Sequence, residues 1–225
     1  MTASTSAQKG LDKTEFGEVV KILKARYMSG ARPEHVAGSD PFKVLVGALL
    51  SHRTRDEMTD MAYNKLFSQF KDPPQLANAD VREIAQTIKA VGFYRQKAKR
   101  IKRIAQIIYW ERSGKVPEDR EELMKLPGVG PKTADIVLSA CFGKPEVAVD
   151  THVKTVAVRL GIASEKSGYE EIKSNVTKLA PADDLFLINQ LFVRFGREIC
   201  RRPKPKCNVC PITAYCRFYQ TGFKA

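Results

Sequence analysis

Four of the five cysteines in this chain fall in one C-x6-C-x2-C-x5-C run, CRRPKPKCNVCPITAYC, at Cys200, Cys207, Cys210 and Cys216. Four thiolates this close in sequence can surround one compact metal centre. Structural zinc sites more often set two C-x2-C knuckles apart by a longer span, whereas unequal gaps around a single C-x2-C suit the larger cubane of a four-iron cluster. Zinc is the alternative metal, and disulfides are the alternative without metal, since four thiols can pair. The sequence shows no apolar leader and no run long enough to span a bilayer, so nothing else in it points to an oxidising compartment. Cys141 is left over in the apolar run IVLSACFG and reads as a small core residue.

A second constellation is Leu126-Pro127-Gly128-Val129-Gly130-Pro131-Lys132-Thr133, between the short helical stretch EELMK and the helical stretch KTADIVLSA. Two glycines let the backbone turn tightly, and Pro131 suits the first turn of the helix that follows. Exposed amides at Gly128, Val129 and Gly130, with the positive end of the helix dipole behind them, can hold a phosphodiester without reading its bases. The competing reading is purely steric, because helix-to-helix turns use glycine as well. A nucleotide-binding P-loop is excluded by spacing. Between the first two cysteines of the cluster run lie Arg201, Arg202, Lys204 and Lys206, a basic loop stiffened by Pro203 and Pro205 and suited to phosphate contact.

The elements that must position these groups read as helices. Phe16, Val19, Val20 and Leu23 recur at helical spacing after a possible cap at Thr14, and Asp40-Pro41 opens a second helix with Val44, Leu45 and Ala48 inward. Asp80 begins another with Val81, Ile84 and Ile88 on its face. Ile101, Ile104, Ile107 and Ile108 mark a long basic helix ending near Gly114, and Leu185, Ile188, Phe192 and Phe195 mark the last long one. No run alternates with period two for long enough to make a strand, so an all-α fold is expected. At 225 residues and 43% hydrophobic, the chain can bury the core of one large or two small domains. Its 38 Lys and Arg against 25 Asp and Glu give a formal charge of +13, which makes a polyanion the expected partner. No amphipathic stretch with a basic face and an aromatic anchor supports a membrane surface instead.

LPGVGPKTA, AVDTHV eighteen residues after its lysine, and the cysteine run, in that order, resemble the endonuclease III family of DNA glycosylases with lyase activity, within the helix-hairpin-helix-Gly-Pro-Asp superfamily. LLSHRTRDE and VGFYRQKA upstream resemble that family's DNA-void-filling loops, so the likeness runs from about residue 14 to 216. The resemblance implies an all-α protein with two helical domains flanking a DNA-binding cleft. Residues 1–13 would be a flexible tail, 34–144 a six-helix domain with the hairpin, and 14–33 plus 145–225 a domain holding a [4Fe-4S] cluster on the four cysteines.

The resemblance also assigns roles. Lys132 falls at the catalytic lysine, and its amine can attack a sugar carbon only when neutral, a form that the positive end of a helix and a large net positive charge both favour. Asp150 falls at the catalytic carboxylate, and its place before the helical stretch THV makes it an N-cap too. His152 reads as a hydrogen-bonded packing residue. Arg53 stands where the family usually has glutamine to meet the orphaned base, and Phe93 stands at the apolar wedge. The implied activity is excision of oxidised or ring-saturated pyrimidines through a Schiff base, followed by β-elimination. Alternatives are a thymine or uracil mismatch glycosylase opposite guanine, and a non-catalytic DNA-binding iron-sulfur protein. The implied partner is double-stranded DNA with damaged bases or abasic sites, bound by a monomer located with the DNA inside the cell, in cytoplasm, nucleoid or nucleus, and not at a membrane.

Overall fold

The structure, a computed structural model, describes residues 11–28 and 39–222. Most of the tail expected over residues 1–13, and the domain boundary expected at 33/34, lie outside the described residues. Among the described residues every regular element is helical. They form two compact units, one from the described parts of Met1–Glu34 and Pro145–Ala225, the other from those of His35–Lys144.

The second unit opens with α2 (Pro41–Ser51), capped by the Asp40 carboxylate on the amides of Phe42 and Lys43 and started by Pro41. Its buried face is Phe42, Leu45, Val46, Leu49 and Leu50; Val44 and Ala48 are only half-buried, so the inward stripe is rotated from the expected one. Then follow α3 (Asp56–Gln69), α4 (Pro73–Asn78), α5 (Val81–Thr87) and α6 (Tyr94–Gln106). Asp72 and Asp80 cap α4 and α5. The basic helix α6 buries Ile101 and Ile104 against α4 and α5, and runs on through a π-helical turn over Ile107–Glu111 before closing at Gly114, whose amide donates to the Ile108 carbonyl at 2.8 Å. The short helix α7 (Arg120–Met124) and α8 (Pro131–Phe142) complete the unit, with α8 packed on α2. Cys141 is half-buried against this core, and burial pushes its thiol up to about 11, as a packing residue would show.

The other unit contains α1 (Lys13–Tyr27), α9 (Thr151–Leu160), α10 (Tyr169–Leu179), α11 (Leu185–Glu198) and the short α12 (Arg217–Gln220). The cap of α1 is Asp12 rather than Thr14. Its carboxylate accepts from the Glu15 amide while Glu15 reaches back to the Asp12 amide, and this reciprocal pair places the helix start one residue before the threonine. Phe16 of α1 meets Phe192 of α11 edge-on, with ring centroids 6.1 Å apart, so the N-terminal helix is fastened to the same core as the cysteine segment.

Candidate functional site

The hairpin lies between α7 and α8. Gly128 has φ +81, a backbone conformation that requires glycine, and the Arg100 side chain packs closely against it, 2.7 Å from where a Cβ would lie. Val129 turns its side chain into the core, leaving backbone as the exposed part of the turn. Gly130 is the N-cap of α8 and supplies no side-chain acceptor, so the first-turn amides of that helix are left for an external anion. Lys132 stands in this first turn, half-buried, and makes no ion pair among the described residues.

Two contacts fix α8. Asp135, one turn beyond Lys132, is fully buried and accepts from Arg120 Nε of α7 at 2.8 Å, tying together the helices on either side of the hairpin. Next to Lys132, Thr133 Oγ1 lies 3.1 Å from His52 Nε2. Burial lowers the pKa of His52 below its ordinary value, and the charges of Lys132, Lys97 and Arg100 lower it further. The site therefore favours the neutral imidazole over the imidazolium.

His52 belongs to the turn after α2. In that turn Arg53 adopts φ +51, and in the turn before α6 Phe93 adopts φ +56. A left-handed backbone at a side chain with a Cβ costs on the order of 1–3 kcal/mol and persists only where the surroundings hold it. The Arg53 guanidinium sits over the Phe93 ring at 5.7 Å, and Phe93 is 60% exposed. An open hollow of about 430 Å³ is lined by His52, Arg53, Phe93, Lys97, Arg100 and Lys132 with no carboxylate, so its field attracts anions.

In the other unit Asp150 caps α9, its Oδ1 accepting from the Val153 amide at 2.7 Å. The strap before it is held by the Asn189 side chain, which donates to the Ala148 carbonyl at 2.7 Å, and by the Tyr169 hydroxyl on the Val149 amide at 3.2 Å. The carboxylate is thus fixed from three helices. His152 packs on α11, and Gly196 is needed there because a Cβ would come within 2.5 Å of the ring nitrogen.

None of the four clustered cysteines is in a disulfide, and all four line one hollow with Val156, Phe195 and Ile212. No three of them converge as tightly as ligands of a single metal ion do, among the described residues. Arg159 reaches this hollow from α9. It is buried, donates to Cys200 Sγ at 3.1 Å and to the Cys200 carbonyl at 2.8 Å, and stacks 4.8 Å from the Phe218 ring. The basic loop is exposed, although Arg202 is paired with Glu165 at 2.9 Å.

Sequence reasoning named the hairpin, Lys132, Asp150 and the thiols, but missed His52, Lys97, Arg120, Asp135, Arg159 and Asn189. The signal for Lys97 was present: it lies four and seven residues before Ile101 and Ile104, on the apolar stripe of α6.

An all-helical fold that presents an uncapped glycine hairpin beside a positive hollow defines a helix-hairpin-helix protein of the DNA-binding class. Residues 46–182 match the HhH-GPD superfamily of base excision DNA repair proteins. The endonuclease III of Thermotoga maritima is 45% identical over 188 residues, covering 84% of this chain and 88% of its own. A trapped endonuclease III–DNA covalent intermediate, an estranged-adenine complex, superposes with a TM-score of 0.84 at 32% identity over 94% of this chain and 98% of its own. A thermostable thymine-DNA glycosylase superposes with the same score at 26% identity, over 93% of this chain and 98% of its own. The chain belongs to the endonuclease III family of DNA glycosylase/AP lyases, within the HhH-GPD superfamily. Among the described residues no helix is long and apolar enough to cross a membrane.

Proposed function

We propose that the chain excises oxidised or ring-saturated pyrimidines from duplex DNA and then cuts the strand by β-elimination, with Lys132 as the nucleophile. The observation that carries this reading is the setting of Lys132: half-buried, without an ion pair, at an uncapped helix start, beside a hollow that holds no carboxylate. A lesion that stacks and pairs poorly leaves the duplex at low cost. The Lys132 amine adds to C1′, the glycosidic bond breaks with its electron pair on the departing base, and the sugar ring opens to a Schiff base. Loss of the C2′ proton then expels the 3′ phosphate. Asp150, held as an aimed carboxylate by the Val153 amide, stabilises the positive charge that develops on the sugar and takes part in moving the amine's proton. The amides of Gly128, Val129 and Gly130 hold the DNA backbone, while Arg53 and Phe93 enter the space left by the flipped nucleotide.

Cys200, Cys207, Cys210 and Cys216 would hold a [4Fe-4S] cluster. The fit rests on four unpaired thiols lining one apolar hollow, with a buried guanidinium to offset the charge of the thiolates. When bound, such a cluster would anchor the loop carrying Arg201, Arg202, Lys204 and Lys206, the residues that would meet phosphate. A second reading, removal of thymine or uracil opposite guanine, is favoured by Arg53, whose several donors match the acceptors on the guanine edge.

Borohydride reduction tests the leading reading. Wild-type protein mixed with lesion duplex gives a covalent adduct, and Lys132→Ala gives none while still binding the duplex. An adduct formed equally by Lys132→Ala moves the nucleophile elsewhere.

A further inference from the structure

We propose that Lys97 is a positioning residue whose buried ammonium clamps the turn carrying Arg53 to the turn carrying Phe93, so that the two side chains enter the DNA as one preassembled unit. The proposal rests on the void-filling roles given to Arg53 and Phe93 above.

Lys97 is 5% exposed and has no carboxylate partner among its hydrogen bonds. Its Nζ donates to the Leu50 carbonyl at 2.7 Å, the His52 carbonyl at 2.7 Å and Thr54 Oγ1 at 2.9 Å. Three acceptors use the three protons of an ammonium, whereas a neutral amine would set its lone pair against one of the oxygens. Burial lowers the pKa of Lys97 only to about 8, which keeps the ammonium at neutral pH. Two of the acceptors come from the C-terminal end of α2, where carbonyls lack intrahelical partners and the helix dipole is negative. The cation is therefore seated where an unpaired positive charge is least costly.

Thr54 carries the link onward. Its hydroxyl donates to the His52 carbonyl at 3.2 Å and accepts from both Lys97 Nζ and the Gly92 amide, the latter at 3.2 Å, which uses its full hydrogen-bonding capacity. At Gly92 the two turns touch directly, since a Cβ there would lie 2.9 Å from the Arg53 carbonyl oxygen. Arg53, which makes this contact, and Phe93, which follows Gly92, are both held in left-handed backbone, with the guanidinium above the ring. Strained backbone of this kind needs surroundings that over-determine it, and the Lys97–Thr54–Gly92 network supplies them. Preassembly of this sort spares the protein the ordering of two loops when it meets the lesion.

The test separates positioning from a general structural role by its substrate dependence. Lys97→Met removes the clamp. Thr54→Val, nearly isosteric, removes the hydroxyl that the Lys97 ammonium and the Gly92 amide share, leaves the ammonium on its two carbonyls, and serves if Lys97→Met fails to fold. Single-turnover excision is measured on a lesion duplex, and lyase cleavage on a single-stranded abasic oligonucleotide, which has no partner base and no void to fill. The expected result for Thr54→Val, which leaves every cation of the hollow in place, is a loss of roughly tenfold or more on the duplex, the scale set by an ångström-level misplacement, with less than about twofold on the single strand. In an Arg53→Ala/Phe93→Ala background, adding Thr54→Val or Lys97→Met should cause no further loss on the duplex. Equal losses on both substrates, an undiminished duplex rate, or full additivity in that background overturns the proposal. Absence of single-strand cleavage by the wild type would instead count against the lyase reading of Lys132.

Discussion

Asp135 and Arg120 form a buried ion pair across the glycine hairpin, with Asp135 Oδ1 2.8 Å from Arg120 Nε and the carboxylate fully out of solvent. The pair sits one helical turn from Lys132, so it sets the angle at which α7 and α8 leave the turn that would grip phosphate. Asp135→Ala leaves Arg120, which keeps some solvent, so the loss is that of a charged hydrogen bond, about 1.5–3 kcal/mol, rather than the larger cost of leaving a fully buried charge uncompensated. Asp135→Ala is expected to lower the free energy of unfolding by that amount, read as a lower urea midpoint at an unchanged m-value. Asp135→Asn retains an acceptor for Arg120 and should lose less. Equal stability of Asp135→Ala and wild type would show that the pair only decorates the hairpin.

His52 offers a probe of the electrostatics around Lys132. Its pKa lies below the ordinary 6.5, with burial the larger cause and the charge of Lys132 the next. The folded state therefore resists protonating His52, and its contribution to stability is complete above pH 6.5 and declines as pH falls toward the folded pKa. An NMR titration of the imidazole should give a midpoint below 6.5, and Lys132→Met should raise it without restoring the ordinary value. A midpoint unmoved by that substitution would mean that the Lys132 ammonium does not act on His52.

What the sequence made legible was local chemistry. The cysteine run, the glycine turn and the Asp-Pro start of α2 each fit within a few residues, and the caps at Asp40, Asp80 and Asp150 are where the residue types place them. Asp72 and Asp119 do the same work before helices of six and five residues, too short to show an apolar period that would flag a start. The pairs that fix the site were hidden for a different reason. Arg120 and Asp135 are 15 residues apart, and Lys97 reaches carbonyls more than 40 residues away, so no spacing rule connects them. Their only trace is a charged residue on an apolar helical stripe, as Lys97 is on α6 and Asp135 on α8. Such a residue announces that it must have a partner without saying which.

Asp150 caps α9 and is proposed as the catalytic carboxylate, and one substitution can divide the two roles. Asparagine keeps an oxygen for the Val153 amide and is as good an N-cap as aspartate, but it carries no charge. Asp150→Asn should therefore keep the wild-type melting temperature within a degree or two and bind lesion duplex, yet lose on the order of 100-fold in single-turnover excision, the scale set by a lost electrostatic contact in a transition state. Wild-type turnover per folded molecule would reduce Asp150 to a cap.

Purified under anaerobic conditions, the protein should contain about four iron and four sulfide per chain, the stoichiometry of a cubane. Arg159→Met keeps an unbranched apolar stem but removes the guanidinium, and with it the donors to Cys200 and to the Arg201 carbonyl and the cation over the Phe218 ring. The variant is expected to lose iron several-fold faster to a chelator, with the iron-sulfur absorbance as the readout. Stoichiometric zinc without iron in the wild type would reverse the metal assignment, and equal rates of iron loss would remove Arg159 from the cluster's support.

The resemblance sets Arg53 at the position where the family usually has glutamine, and the geometry of this residue makes a proposed consequence measurable. The guanidinium lies over the exposed Phe93 ring on a backbone that the left-handed turn fixes, so it is presented rather than free to search. Arginine has five donors and no acceptor, and guanine offers two acceptors on its major-groove edge where adenine offers one beside a donor. Excision of one lesion should therefore be faster opposite guanine than opposite adenine, by a discrimination of about 1 kcal/mol, or roughly fivefold, near the lower end for a specific base contact. Glutamine has both a donor and an acceptor, so Arg53→Gln should narrow the ratio, while Phe93→Ala should slow excision opposite every partner by a similar factor because stacking is indifferent to base identity. Rates must be taken under single turnover, since slow product release would mask a difference of this size. The same guanine-to-adenine ratio in wild type and Arg53→Gln would show that the arginine does not read the orphaned base.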